Sequence, residues 1–285
     1  MKKLIVNADD FGLDENINNG IIKGFKEGFI TSTSIMPNAP FFNRAVELAK
    51  ENPKLGIGIH LTLVGGLKPL KELAKVKTLV NSSGFFYSDY IFFIKQYLLG
   101  RINKKEIKEE LEEQIKTVLD KNLNVTHVDS HQHLHVLPGI TEIVVDLCQK
   151  YNIKQIRLPL ESMAINDDKS GLDLKRQVGK SGLNICSLLA KRIFAKNNLL
   201  YPDNFFGMSA GGNLNSKNIA GFLKVAKNGT NEIMTHPGFN NDFLNNKFGW
   251  DYHWENELMG FLDVENKQSL KNLNIDLINF GDLNE

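Results

Sequence analysis

Val125-Thr126-His127-Val128-Asp129-Ser130-His131-Gln132-His133-Leu134-His135 opens as a strand and closes as a cluster of ionisable side chains. The strand reading covers Val125 to Asp129, where β-branched residues dominate. Pro138 then marks the start of a helix that reaches Tyr151. A strand, a polar turn and a helix in that order form one β-loop-α unit, and the same order recurs along the chain. Leu4-Ile5-Val6 reads as a strand stopping at Asn7, followed by a helix with Ile17, Ile21, Ile22 and Phe25 on one face. Thr31 to Ile35 is followed by a helix from Asn43 to Glu51. Leu55 to Leu63 is a third strand, whose Gly56 and Gly58 suggest a close neighbour at the backbone. Helices are expected from Tyr90 to Leu99 and from Lys104 to Lys121; the charged face of the second reads as solvated. Ile153 to Leu158 is a fifth strand closed by Pro159. A less regular passage from Glu161 to Asp203 holds one helix, Leu183 to Ala195. Asn204 to Gly212 starts as a short strand, Ser216 to Lys227 is helical, and Glu232 to Thr235 and Ile275 to Phe280 are the last strands. This alternation implies an α/β fold, a (β/α) barrel of seven or eight strands, complete or distorted, in one domain spanning 1–285. An open doubly wound sheet is the rival.

Composition narrows the function classes. The 285 residues carry 34 basic and 33 acidic side chains, a formal net charge of +1. That balance offers no electrostatic footprint for nucleic acid or an anionic membrane. Cys148 and Cys186 have no CxxC partners and read as free buried thiols of a reducing compartment. The apolar run after Met1-Lys2-Lys3 lasts three residues, far short of a signal-peptide core. No stretch approaches the ~20 apolar residues of a membrane span. A cytoplasmic protein is the expectation.

The chemistry is expected at strand ends, where (β/α) barrels place their active sites. Asp9 and Asp10 follow the first strand, His60 lies near the end of the third, His131 follows the fourth, Arg157 ends the fifth and His236 follows Thr235. Four of the seven histidines fall between His127 and His135, and imidazole suits both divalent metals and proton transfer near neutral pH. Of two adjacent aspartates on a turn, one can bind a metal while the other faces water; a helix cap is the bland alternative. A lone His60 in an apolar run is usually a hydrogen-bonded core residue, and His131 is what makes it a ligand candidate. If the cluster continued as a strand, His131, His133 and His135 would share one face, with Gln132 on the other. His127 is the structural member. Arg157 either orients a carboxylate or pairs at the surface. His236 either donates a proton to a leaving group or is a satisfied turn residue, and His253 reads as packing or surface. One carboxylate and two imidazoles leave coordination positions open, as in a catalytic metal site. Mg2+ and Zn2+ both fit, and Mn2+ or Co2+ are allowed. Phe11, Phe85, Phe86, Tyr87, Phe205 and Phe206 are candidates for stacking on a ligand.

Asn7-Ala8-Asp9-Asp10-Phe11-Gly12, Gly58-Ile59-His60-Leu61-Thr62, the segment from Thr126 to His135 and Thr235-His236-Pro237-Gly238-Phe239 together resemble the YdjC/ChbG family of carbohydrate deacetylases. The motifs run in order from residue 5 to about 240; the passage from Glu161 to Asp203 matches least. The resemblance implies a metal-dependent hydrolase removing acetyl groups from N-acetylated sugars, with one divalent ion on Asp10, His60 and His131. It implies Asp9 as base and His236 as acid. Asp129, His133, His135, Arg157 and Phe11 are expected to orient these groups or touch the substrate. Gln132 departs from the pattern, since some members carry a further histidine there. The expected partner is a small N-acetylated sugar, with a homodimer left open and no nucleic acid or membrane. A different metal hydrolase, for another amide or a phosphoester, is the alternative, although no phosphate-cradling GxxxxGK loop is present. A non-catalytic sugar-binding protein is a weaker rival, because all five site residues are retained.

Overall fold

The computed structural model describes residues 1–161 and 174–283. In chain order its first elements are β1 (Lys2–Phe11), α1 (Glu15–Glu27), β2 (Ser32–Ile35), α2 (Phe42–Glu51), β3 (Gly56–Leu61), α3 (Tyr90–Leu98), α4 (Lys104–Leu119) and β4 (Val125–Ser130). They are followed by α5 (Ile140–Lys150), α6 (Leu174–Lys196), β5 (Asn204–Phe206), α7 (Ser216–Val225) and β6 (Gly229–Thr235). The chain closes with α8 (Asn241–Phe248), α9 (Trp254–Leu262), α10 (Val264–Asn272) and β7 (Ile275–Leu277).

The strands form one parallel sheet in the order β4-β3-β2-β1-β6-β5. Along one edge β1 pairs with β6 from Lys2 to Ala8. On its other side it meets β7 at Lys2 to Leu4 and β2 from Asn7 onward. Beyond β4 the sheet curls on through two single bridges, Val128 to Ile156 and Gln155 to Leu200. The fold is therefore a curled half-barrel, a distorted relative of the expected barrel rather than a closed one. The strand expected from Ile153 to Leu158 is reduced to these two bridges, and Pro159 prevents its ladder from lengthening. Residues 162–173 of the irregular passage lie outside the described residues, while α6 begins nine residues before the expected Leu183.

Local chemistry explains the main elements. Asp14 caps α1 by accepting from the Asn16 N–H, and Ile17, Ile21 and Ile22 bury one face against the sheet. All six residues of β3 are buried, as expected for a parallel strand covered on both sides. The two glycines of β3 do meet close neighbours. A Cβ on Gly58 would stand 2.3 Å from the His127 ring, so only glycine lets that imidazole lie across the strand. The charged face of α4 is not wholly solvated: Glu110 and Gln114 are fully buried. Gln114 accepts from the Thr62 N–H, and Glu110 accepts from the N–H groups of Leu70 and Lys71. They tie the loop after β3 to the helix. Cys148 is buried and Cys186 half-buried, both free. No described helix is long and apolar enough to cross a membrane.

Candidate metal and proton-transfer site

The two aspartates sit on a strand rather than on a turn. β1 continues past Asn7 to Phe11, and its register against β2 slips: Ala8 faces Thr33, but Phe11 faces Ile35. Asp9 and Asp10 together therefore stand opposite Ser34, a β-bulge. Asp10 takes up the extra residue with a left-handed φ of 67°. In a regular strand neighbouring side chains point to opposite faces; the bulge is what turns both carboxylates toward one site.

His60 and Asp129 are direct partners across β3 and β4. Asp129 Oδ1 lies 2.8 Å from His60 Nδ1, which leaves Nε2 facing Asp10 Oδ1 at 3.4 Å. His131 Nδ1 stands 3.1 Å from the same oxygen. The donor atoms of Asp10, His60 and His131 lie within 4.8 Å of one another, and all three residues are buried. One carboxylate oxygen and two imidazole nitrogens at this spacing suit a divalent ion. Asp9, His60 and Asp129 form a second such triple, but an ion there would face the Arg157 guanidinium, so the first set fits better. Burial opposes charge on His60, yet Asp129, Asp9 and Asp10 outweigh it and push the imidazole up to about 10. Burial likewise opposes ionisation of Asp10, and His131 and His60 hold it well below the usual carboxylate range.

Behind this triple lies a buried ionic cluster centred on Arg157, which is 0% exposed. Nη1 and Nη2 donate to Asp9 Oδ2 and Oδ1, each at 2.7 Å. Nη1 also lies 2.8 Å from Asp129 Oδ2, and Nε donates to Glu232 Oε1 at 2.7 Å. Of the two roles weighed for Arg157, orienting carboxylates is the one its position allows. Its charge holds Asp129 low despite burial. Glu232 goes the other way: burial pushes it up to about 7, with Arg157 opposing and Asp9 and Asp129 adding to the rise. Glu232 had a sequence signal, an acid inside the apolar strand Glu232-Ile233-Met234. Ser34, which donates to Asp129 Oδ2 at 2.8 Å, had none.

His236 follows Thr235, which pairs with Ala8 in the β1–β6 register, so it emerges beside the aspartate bulge. Its N–H donates to Glu257 Oε2 at 2.5 Å, and its Nδ1 is 3.9 Å from that oxygen. Glu257 comes from α9 and carries no motif that would connect it to His236 by sequence. His253 is exposed before α9.

The histidine cluster is not a strand. Residues 131–136 form tight 3-10 turns, with Gln132 and His133 both left-handed at φ 55° and 56°. The expected alternation of His131, His133 and His135 is therefore absent. Such backbone costs about 1–2 kcal/mol per residue, offset by the bonds of His135. Its N–H donates to Ser130 Oγ, Nδ1 meets the same oxygen at 2.7 Å, and Nε2 lies 3.0 Å from the Arg157 carbonyl. Burial brings His135 down to about 4, so it stays neutral. His133 is half-buried, edge-on to Phe205 with ring centroids 5.8 Å apart. His127 stacks on Phe280 at 3.7 Å as a structural residue. Gln132 is exposed. Phe11 is fully buried in the core, as are Phe86, Phe205 and Phe206, so none of these offers a ring to a ligand. Phe85 and Tyr87 remain half-buried. A cavity of about 270 Å3 opens instead beside His131, walled by Gly65, Gly66, Leu67, Phe248 and Trp250.

A family model described as YdjC-like protein matches residues 3–272. A carbohydrate deacetylase of Thermoanaerobacter pseudethanolicus is 32% identical over 281 residues, covering 99% of both chains. One from Clostridium beijerinckii is 33% identical over 283 residues, covering 99% of this chain and all of that one. One from Xenopus laevis is 30% identical over 259 residues, covering 83% of this chain and 81% of its own. A crystal structure from Enterococcus faecalis V583, described as a candidate cellobiose-phosphate cleavage protein, superposes with a TM-score of 0.79 at 26% identity. It covers 98% of this chain and 97% of that one.

Proposed function

Because this chain belongs to the YdjC-like family, we propose that it hydrolyses the N-acetyl group of an acetylated amino sugar or oligosaccharide with the help of one divalent cation. The convergence of Asp10, His60 and His131 beside the Asp9–Arg157 pair carries this reading. Relatives of matching length named carbohydrate deacetylase supply the substrate class. Asp10, His60 and His131 would hold the cation, which when bound supplies Lewis acidity to the acetyl carbonyl and lowers the pKa of a neighbouring water. Asp9 takes the proton of the attacking water. Its Oδ2 faces the site, 4.0 Å from His60 Nε2, while the bidentate clamp of Arg157 fixes its plane. His236 gives a proton to the departing nitrogen, which leaves poorly as an anion. The C–N bond breaks, and acetate and an amino sugar are released.

The test is acetate release from a panel of N-acetylated sugars by metal-stripped protein, with Mg2+, Zn2+, Mn2+ or Co2+ added back singly. Release that depends on the ion supports the reading; no release with any sugar and ion overturns it. Phosphate release from a sugar phosphate under the same conditions would favour the phosphoester alternative.

Cation binding has its own signature. Asp129 fixes the His60 Nδ1 side, so an arriving ion must displace the proton at Nε2, which the carboxylates hold up to about pH 10. Binding is therefore expected to release about one proton per ion. Apparent affinity should rise about tenfold per pH unit below that value. Calorimetry in buffers of different ionisation enthalpy counts the proton. Binding without proton release, or full occupancy in a His60→Ala, His131→Ala double variant, removes these ligands.

A further inference from the structure

Trp250 lies in the turn between α8 and α9, flanked by Gly249 and Asp251, both with left-handed backbone. Its indole is neither core nor free surface. It is half-buried, stacked on Phe248 at 4.9 Å and 26°, and braced by Tyr252 at 5.5 Å and Trp254 at 6.3 Å. It also lies close to His131, with ring centroids 5.7 Å apart and planes tilted by 34°. An aromatic held this firmly beside a cavity is a rigid, pre-formed contact surface.

The facing wall is equally fixed. Gly65 passes so near His131 that a Cβ there would lie 3.1 Å from the ring. The loop carrying it is pinned to Glu110 and Gln114 of α4. Lys247 also lines the cavity, but its ammonium donates to Asp14 Oδ2 at 2.6 Å, so it is already neutralised. An apolar, uncharged wall next to the candidate ligand set matches the C–H face of a sugar ring rather than an anionic group. At about 270 Å3 the cavity falls at the lower edge of small-molecule sites, about 300–1,000 Å3. It has room for one ring, not for an oligosaccharide.

From this geometry we infer that the cavity beside His131 is a subsite for a single neutral pyranose ring, with Trp250 as the platform on which the ring stacks. The inference rests on the deacetylase reading for the class of sugar, and it adds which residue selects it. A longer substrate then presents one terminal ring to the site, and the rest of its chain stays outside.

The test uses the full chain with a divalent ion and two probes, N-acetylglucosamine and its β-1,4-linked dimer, followed by saturation-transfer NMR and by acetate release. The wild-type protein is expected to bind both, and Trp250→Ala to weaken binding and raise KM by about tenfold. Trp250→Phe should restore most of the loss, and cation affinity should be equal in all three proteins. A purely structural role would disturb cation affinity as well, and that outcome overturns the subsite. So do unchanged sugar affinity and KM in Trp250→Ala, or no binding of either probe by the wild type. Trp250-dependent binding without acetate release would leave the subsite standing and the deacetylase reading fallen. Acetate release indifferent to Trp250 would do the reverse.

Discussion

Asp9→Asn is expected to keep the cation at wild-type affinity and to lose turnover by about 10²–10⁴-fold, the usual contribution of a positioned general base. The amide keeps the shape of the carboxylate and can still accept from one Arg157 N–H, but it cannot take a proton from water. Asp10, His60 and His131 are untouched, so the ion-binding set survives. The neighbouring variant separates the roles: Asp10→Asn should lose both cation and turnover. Matched calorimetric titrations and single-turnover acetate assays check the pair. An Asp9→Asn protein that turns over within threefold of wild type sinks the base assignment; one that loses its cation places Asp9 among the ligands instead.

Arg157→Met is expected to be the most damaging change to stability, by about 3–5 kcal/mol at neutral pH, the cost of stripping a buried ion pair of one partner. The guanidinium answers three carboxylates, from Asp9, Asp129 and Glu232, and all three are buried. The pH dependence should also invert. With Arg157 in place Asp129 lies below its usual range, so its contribution is present above the unfolded value near 4 and is lost as pH falls through the folded one. Without Arg157 the buried carboxyls are raised in the folded state, which then binds their protons more tightly than the unfolded chain. Stability of the variant should therefore fall as pH rises, and the gap to wild type should narrow toward acid. Denaturant unfolding at a series of pH values measures it. Arg157→Lys is expected to recover only part of the loss, because one ammonium cannot make the bidentate contact to Asp9 and reach two further carboxylates. A loss under 1 kcal/mol in Arg157→Met at neutral pH would show that the carboxylates find other partners.

The candidate site is legible in the sequence as uncommon polar residues at strand ends. Asp9, Asp10, His60, His131, Arg157 and His236 each stand out that way, and the curled sheet brings the first five into contact with one another. Where the structure departs from the sequence pattern, the cause is backbone detail that no periodicity reports. The apolar run of the first strand ends at Val6, which puts Asp9 and Asp10 on a turn by sequence, whereas a bulge keeps them in β1. The alternation read into His131, His133 and His135 fails because two left-handed residues interrupt it. Phe11 is a stacking candidate by sequence because it falls in a predicted loop, yet it ends β1 and is buried in the core.

Other partners were illegible for a different reason. Glu257 and Trp250 reach the site from the last third of the chain, through packing of α9 and the turn before it, and nothing local marks them. Glu232 could be noticed as an acid in an apolar strand, but not matched to Arg157, which lies 75 residues away.

The sequence by itself determined the alternation of strands and helices, because burial imposes its period on every element. It also determined the residue types of the candidate site, because only a few side chains are able to hold an ion or move a proton. The tertiary structure alone decided that the sheet curls without closing, that both aspartates face one way, and that one buried guanidinium holds three acids. Those outcomes depend on register and on contacts between distant segments, where a shift of one residue turns a side chain to the other face.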